Sequence, residues 1–270
     1  MRNIRRNQNE DARRPIAVFD SGVGGISVLR ALVDLMPNEN YIYYGDSIHA
    51  PYGSKTLEEV RALTEMHVLH LLEAGAKAVV IACNTATSAD ISILRERYQN
   101  IPMIGIEPAV KPAVESGEHP GVLVLATPMT IREMKFRTLL MRYEKDADIY
   151  PLPCPGLVEY IERGVLSGPS LEGFLEKLLA PYRYPEIDCV VLGCTHYPFV
   201  ADAIRRILGP KVAVFEGGPG TARETRRRLQ ERNLLNPSQE RGFVRFENSL
   251  DTPEEMRLCR MLLNSKENMK

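Results

Sequence analysis

Two cysteines stand out by their surroundings. Cys83 directly follows the apolar run Ala78-Val-Val-Ile-Ala, and Cys194 follows Cys189-Val-Val-Leu-Gly, 111 residues further on. A thiol at the turn from a buried strand into a helix faces the helix dipole and free backbone N–H groups. Such a position is expected to lower its pKa from about 8.5 towards neutrality and make it a usable base. Cysteines at strand ends are ordinarily small core hydrophobes. Here two occupy matching positions, and the polar followers Asn84, Thr85, Thr195 and His196 would be wasted in a core. A pair of acid/base groups on opposite walls is what inversion of a stereocentre needs: one removes a proton and the other returns one.

Other residues could support the pair. His196 lies two positions after Cys194, within C-T-H-Y-P. Asp20 ends the first apolar run and should sit beside the Cys83 strand, with helix N-capping as the competing role. The stretch F-D-S-G-V-G-G-I-S (19–27) lacks the spacing of a dinucleotide fingerprint. It reads better as a glycine turn whose N–H groups, with the Ser21 hydroxyl, hold a small carboxylate at a helix N-terminus. Tyr52 and Gly53, in A-P-Y-G, fall in a loop able to close over the same place, although a plain Pro-initiated turn explains them too. His67 and His70 share one helix face, but no carboxylate or cysteine has ligand spacing with them, so no metal is expected.

The elements that must position these residues alternate between short apolar runs and helix-period segments, the pattern of parallel sheets flanked by helices. Strands are predicted at Ile16 to Phe19, Tyr41 to Tyr44, Ala78 to Ala82, Met103 to Ile106, Val122 to Ala126, Asp148 to Pro151, Cys189 to Gly193 and Val212 to Phe215. Helices are predicted at Ile26 to Leu35, Thr56 to Glu73, Ile91 to Tyr98, Ile131 to Met141, Ser170 to Leu179 and Ala201 to Leu208. The chain also repeats weakly. The two cysteine segments match each other, and Ala17-Val-Phe-Asp20-Ser21 pairs with Leu123-Val-Leu-Ala126-Thr127.

The expected fold class is therefore α/β, with two similar parallel-sheet α/β domains and the active site in the cleft between them. Residues 1–14 read as a flexible leader, 15–107 with 216–265 as the first domain, and 108–215 as the second. The segment Pro108 to Pro120 serves as the crossover.

Composition narrows the function classes. With 34 basic and 35 acidic residues the net charge is −1, so no global field favours nucleic acid or an anionic membrane. The arginines of 223–232 alternate with glutamates, as exposed helix faces do. No apolar run is long enough to span a bilayer. Five cysteines without a C-x-x-C pair argue against a disulfide framework, a zinc ribbon or a thiol redox protein, and point to the reducing cytoplasm.

These residues carry a family resemblance. The motifs F-D-S-G-V-G-G (19–25), D-S-I-H-A-P-Y-G (46–53), A-C-N-T-A (82–86), I-E-P (106–108), A-T-P-M-T-I (126–131), C-P-G-L-V-E (154–159) and G-C-T-H-Y-P (193–198) occur in family order, and the sequence resembles bacterial glutamate racemase. The resemblance implies a two-domain fold of the aspartate/glutamate racemase type and catalysis without pyridoxal phosphate, metal or nucleotide. It implies Cys83 and Cys194 as the proton-transfer pair, with Asp20 assisting the first and His196 the second. Glu162, in E-R-G, matches the family's further acidic residue near the second cysteine. Asp20, Ser21, Tyr52, Gly53, Asn84, Thr85, Thr195 and His196 would contact substrate. Ile48-His49, Pro128-Met129 and Gly156 depart from the usual pattern.

The implied role is interconversion of L- and D-glutamate in a bacterial cytoplasm, supplying D-glutamate for peptidoglycan. A homodimer is one assembly the resemblance allows. A racemase for aspartate or another small acid, and a non-catalytic two-lobe binding protein, are the alternatives.

Overall fold

The computed structural model describes residues 9–182 and 186–265. Among these described residues nine strands form two sheets, all of whose pairings are parallel. The first contains β1 (Ile16–Asp20), β2 (Tyr41–Gly45), β3 (Ala78–Ile81), β4 (Met103–Gly105) and β9 (Val244–Asn248), in the order β4-β3-β1-β2-β9. The second contains β5 (Gly121–Ala126), β6 (Asp148–Pro153), β7 (Cys189–Leu192) and β8 (Ala213–Glu216), in the order β6-β5-β7-β8. With β9 set aside, the two orders superimpose: β1 corresponds to β5 and β3 to β7. The weak sequence repeat is thus a repeat of topology, and the cysteines leave equivalent strands.

The central strands β1, β3, β5 and β7 are buried at every position, which is why they read as continuous apolar runs rather than alternating ones. In both sheets the chain crosses from one side of the central strand to the other. That switch point lies between β1 and β3 in the first sheet and between β5 and β7 in the second. Loops leaving the carboxyl ends of such strand pairs form the crevice where α/β proteins bind ligands.

Several expectations change. The strand β9 was not foreseen, because V-R-F-E-N carries two charges and lies half-exposed at a sheet edge. The helix read as starting at Ile91 begins at Asn84, its first turn being polar and invisible to apolar periodicity. The segment Ile131 to Met141 divides at Glu133 into the helices Pro128–Arg132 and Met134–Met141.

Of the expected leader, residues 1–8 lie outside the described residues. The remainder is docked: residues 9–13 are helical, Ala12 is buried, and Arg14 Nε donates to the Gly75 carbonyl at 2.8 Å. The anchor is the buried Lys77, which donates to the Ala12 carbonyl and pairs with Glu39 at 2.5 Å.

The helices behave as amphipathic covers. Leu57–Glu73 opens on a capping box in which Glu59 N donates to Thr56 Oγ1 at 3.3 Å and Thr56 N to Glu59 Oε2 at 2.8 Å. The helices Gly218–Glu231 and Pro253–Asn264 pack on Ile26–Leu35, and β9 pairs with β2. Arg227 meets Glu224 at 2.7 Å and Glu231 at 2.5 Å on the solvent side. Among the described residues no helix is long and apolar enough to cross a membrane.

Candidate active site

Cys83 is the N-cap of the helix Asn84–Arg97, with extended backbone, and its sulfur accepts from Ala86 N at 3.5 Å. The thiol also donates to Ser21 Oγ at 3.4 Å. Only 5 % of the residue is exposed. The expected fall in its pKa is reversed: burial, reinforced by the negative charge of Asp20, pushes the thiol up to about 12. Ser21 and the Ala86 N–H favour the thiolate, but two long hydrogen bonds do not replace the water that a buried sulfur anion has lost.

Asp20 ends β1 beside β3, and its side chain is fully buried. Its Oδ2 accepts from Gly22 N at 3.1 Å, and its Oδ1 accepts from Thr195 Oγ1 at 3.0 Å. Burial raises its pKa, as does Glu162, while His196 and the Thr195 hydroxyl oppose the rise. Asp20 thus belongs to the first sheet and is bonded to a residue of the second.

Cys194 leaves β7 into a turn followed by a 3₁₀ segment, Tyr197–Val200, and only then the helix Ala201–Leu208. It has no α-helix N-terminus at its side, in contrast to the expectation. What it has is His196, whose Nδ1 lies 3.6 Å from the Cys194 sulfur. The other ring nitrogen, Nε2, pairs with Glu162 Oε1. Burial works against an imidazolium here, but the Cys194 sulfur and the Glu162 carboxylate outweigh it and hold His196 well above its ordinary value. Glu162 ends the helix Leu157–Glu162, where it also accepts from Val23 N at 2.9 Å and from Ser47 Oγ at 3.1 Å.

The N–H groups of the glycine turn are taken up by two carboxylates of the protein itself rather than left free for a ligand's. Gly22 N is bonded to Asp20 and Val23 N to Glu162. Its glycines are required by close approach: a Cβ at Gly22 would overlap the Glu162 carboxylate, and one at Gly24 the His196 ring. Tyr43, buried in β2, supports the turn from below by donating to the Gly22 carbonyl at 2.6 Å.

The remaining expected residues fall along the same seam. Thr85 Oγ1 meets Thr127 Oγ1 at 3.2 Å across the two sheets' loops. Gly53 backs onto Thr127. The Tyr52 hydroxyl is committed to Asp46 Oδ2 at 2.7 Å. Asn84 is buried, and its Oδ1 has no hydrogen-bond partner among the described residues.

Thr127 and Ser27 went unrecognised in the sequence. Thr127 caps its helix through Thr130 N, and Ser27 Oγ donates to the Thr195 carbonyl at 2.9 Å, tying the first sheet's helix to the second sheet's loop. A signal for Thr127 existed, since the repeat aligns it with Ser21.

Ionising Cys194 raises the pKa of Cys83, so the two thiols lie close enough to feel each other's charge. The arrangement joins two buried sulfurs from equivalent strand ends, each beside its own acidic or imidazole group. Such a site can take a proton from a small ligand and return one. No bulk water is needed for either step.

Comparison with known proteins agrees with this geometry. Residues 18–225 match the model of the Asp/Glu/hydantoin racemase family. A glutamate racemase of Clostridium perfringens is 50 % identical over 259 residues, covering 96 % of this chain and 100 % of that protein. The crystal structure of glutamate racemase from Francisella tularensis, in complex with D-glutamate, superimposes with a TM-score of 0.80 at 30 % identity, over 95 % of this chain and 96 % of that one. The Escherichia coli enzyme, solved with L-glutamate and the activator UDP-MurNAc-ala, gives 0.81 at 30 % identity, over 92 % and 94 %. The paired strand-end thiols, the doubled sheet topology and nearly full-length similarity all have one source: the chain belongs to the Asp/Glu/hydantoin racemase family.

Proposed function

We propose that this protein racemises glutamate, with Cys83 and Cys194 as the two acid/base groups and no cofactor. The carrying observation is the pair of buried thiols, one from each sheet, at equivalent strand ends. One sulfur, as thiolate, takes the α-proton and becomes a thiol; the electron pair of the broken C–H bond stays on Cα and its carboxylate. The other thiol then donates its proton to the opposite face and is left as the thiolate. Each turnover inverts the carbon and exchanges the protonation states of the sulfurs; once product leaves, the first thiol gives its proton to solvent and the second thiolate takes one up, which resets the pair for another turnover in the same direction.

Asp20 serves the Cys83 side and the His196–Glu162 pair the Cys194 side. The α-proton is weakly acidic, and the carbanion must be stabilised by preorganised donors in a dry site, each worth about 3 kcal/mol. Ser21, Asn84, Thr85 and Thr195 are the buried polar groups around the thiols, and the unpartnered Asn84 Oδ1 suits the substrate ammonium. Tyr52 and Gly53 shape the covering loop. Because the site is closed, entry requires the two sets of loops to part.

Glutamate is favoured by the names and ligands of the relatives. Aspartate, shorter by one methylene, should be turned over about 10- to 200-fold less efficiently. The role that follows is supply of D-glutamate for peptidoglycan in a bacterial cytoplasm.

The test is incubation with L-glutamate in deuterium oxide, without added cofactor. Loss of optical rotation, with one deuterium at Cα of the D-product, is expected. Retention of rotation, or racemisation only on addition of pyridoxal phosphate, overturns the proposal.

A further inference from the structure

Outside the thiol site, a second cluster of chemistry-bearing side chains lies under the loop that carries Tyr52. Asp46 follows β2, His49 sits in the short 3₁₀ turn Ser47–His49, and His67 projects from the helix Leu57–Glu73. Their ligand atoms all lie within 4.8 Å of one another. His49 Nδ1 is 2.9 Å from Asp46 Oδ1, and His67 Nε2 is 3.0 Å from Asp46 Oδ2.

The His67 contact has a feature that a plain hydrogen-bonded pair lacks. His67 is 5 % exposed, and although Nε2 lies near the Asp46 carboxylate it is not aligned for a hydrogen bond and has no other partner among the described residues. The ring nitrogen's polar neighbour is the carboxylate it meets at 3.0 Å, in an ion-pair contact rather than a regular hydrogen bond. Two ligand atoms that face a common centre, rather than each other, produce this arrangement.

The surroundings also suit a metal. The His67 ring packs over the neighbouring Tyr44 and Phe19 rings of the sheet, with centroids 4.6 and 5.5 Å away, so its orientation is restrained by packing. The Tyr52 hydroxyl donates to Asp46 Oδ2 at 2.7 Å and helps orient the carboxylate, the outer-shell contact that metal ligands ordinarily have. His49 is 42 % exposed and provides both a way in and an open side for water. His70, one turn further along the same helix, pairs with Glu247 at the surface and takes no part.

We propose that Asp46, His49 and His67 form a binding site for a zinc-class divalent cation, which ties the loop of residues 46–53 to the helix Leu57–Glu73. Two imidazoles and one carboxylate are a borderline-soft donor set that favours zinc or its neighbours over magnesium or calcium. Zinc–ligand bonds of about 2.0 Å place tetrahedral ligands roughly 3.3 Å apart, so each histidine need draw back only a few tenths of an ångström from Asp46, while the two histidine nitrogens, within 4.8 Å of each other, take up the same spacing. Water completes the coordination. Because the loop carries Tyr52 and Gly53, occupancy fixes the part of the chain that covers the thiol site. This proposal does not depend on the racemase reading.

The test is cobalt(II) titration of the full-length protein after chelator treatment, followed spectroscopically and by metal analysis. One cobalt per chain is expected, with visible ligand-field bands and no thiolate charge-transfer band, displaced by zinc, with a raised thermal unfolding midpoint. His49→Ala, at a half-exposed position that leaves the fold intact, should weaken binding at least tenfold. Asp46→Asn should abolish it while circular dichroism stays unchanged. Absence of stoichiometric binding, a thiolate band that assigns the metal to the cysteines, or affinity unchanged in His49→Ala overturns the site.

Discussion

Cys83 and Cys194 leave equivalent strands of sheets whose first four strands share one topology, yet their immediate partners differ. Cys83 caps an α-helix, touches Ser21, and is kept protonated by burial and by the nearby Asp20. Cys194 has no such cap and instead lies 3.6 Å from an imidazole whose pKa the sulfur and Glu162 raise against the effect of burial. Duplication of the α/β unit therefore accounts for where the sulfurs are, but not for how each is tuned. The tuning comes from groups that cross the seam: Asp20 is bonded to Thr195 of the other half, and Glu162 to Val23. Each half thus supplies hydrogen-bond partners to the acidic groups of the other.

The comparison is broken most severely by removing either sulfur. Cys83→Ala and Cys194→Ala are each expected to lower the racemisation rate on the order of 10³-fold or more, since loss of one group removes either abstraction or return of the proton. An isolated Cys194→Ala variant that still racemises at near the parental rate eliminates the two-thiol scheme.

A subtler effect separates the two sides. Asp20→Asn and Glu162→Gln each delete one charged partner, worth about 1.5–3 kcal/mol, which corresponds to roughly 10- to 150-fold in rate. Because the partners serve opposite sulfurs, the two variants should slow opposite proton transfers. With Cα-deuterated L- and D-glutamate, the kinetic isotope effect should rise for one enantiomer in Asp20→Asn and for the other in Glu162→Gln. The same enantiomer responding in both would mean that the two halves are not electrostatically distinct.

The glycine turn tests the crossing itself. Gly24→Ala places a methyl group against the His196 ring, and His196 is confined by both Cys194 and Glu162. Overpacking of this kind costs about 1–3 kcal/mol, and here it also displaces the imidazole from the sulfur. Urea unfolding should report the stability loss. Turnover should fall while Cys83, on the other side, keeps its slow alkylation by iodoacetamide.

These contrasts mark what could be read from the sequence. Central strands were legible because a parallel strand covered on both faces is apolar throughout, as Val79-Val80-Ile81 and Val190-Val191-Leu192 are. The cysteine pair was legible because the repeat put both at one position of one motif. The edge strand β9 was not, since Arg245 and Glu247 tolerate water on an exposed edge and carry no apolar signature. The direction of the Cys83 shift was not legible either: a helix terminus is visible in sequence, but the burial and the Asp20 charge that outweigh it exist only once the sheets face each other. For the same reason the Asp46–His67 contact escaped, because 20 residues of loop and helix separate two side chains that the fold sets 3.0 Å apart.

A further effect, spread over several pH units, isolates the Cys83 side through stability rather than rate. Burial holds this thiol up to about 12, against an ordinary value of 9.0. Above about pH 9 the unfolded chain loses the Cys83 proton while the folded protein keeps it, so the unfolded state binds fewer protons and unfolding becomes easier as pH rises. Stability associated with Cys83 is thus complete below the ordinary thiol value and is lost progressively up to about 12, by at most about 1.4 kcal/mol per pH unit. Cys189 and Cys259, raised by burial to about 11 and about 12, add to the same decline. Denaturant midpoints measured across the alkaline range should fall less steeply in Cys83→Ala than in the parent. Asp20→Asn should lie between the two, because it removes the charge that reinforces burial but not burial itself. A Cys83→Ala slope identical to the parental one would mean that this sulfur ionises as readily in the folded protein as in the unfolded chain, and the contrast between the two halves would lose its electrostatic basis.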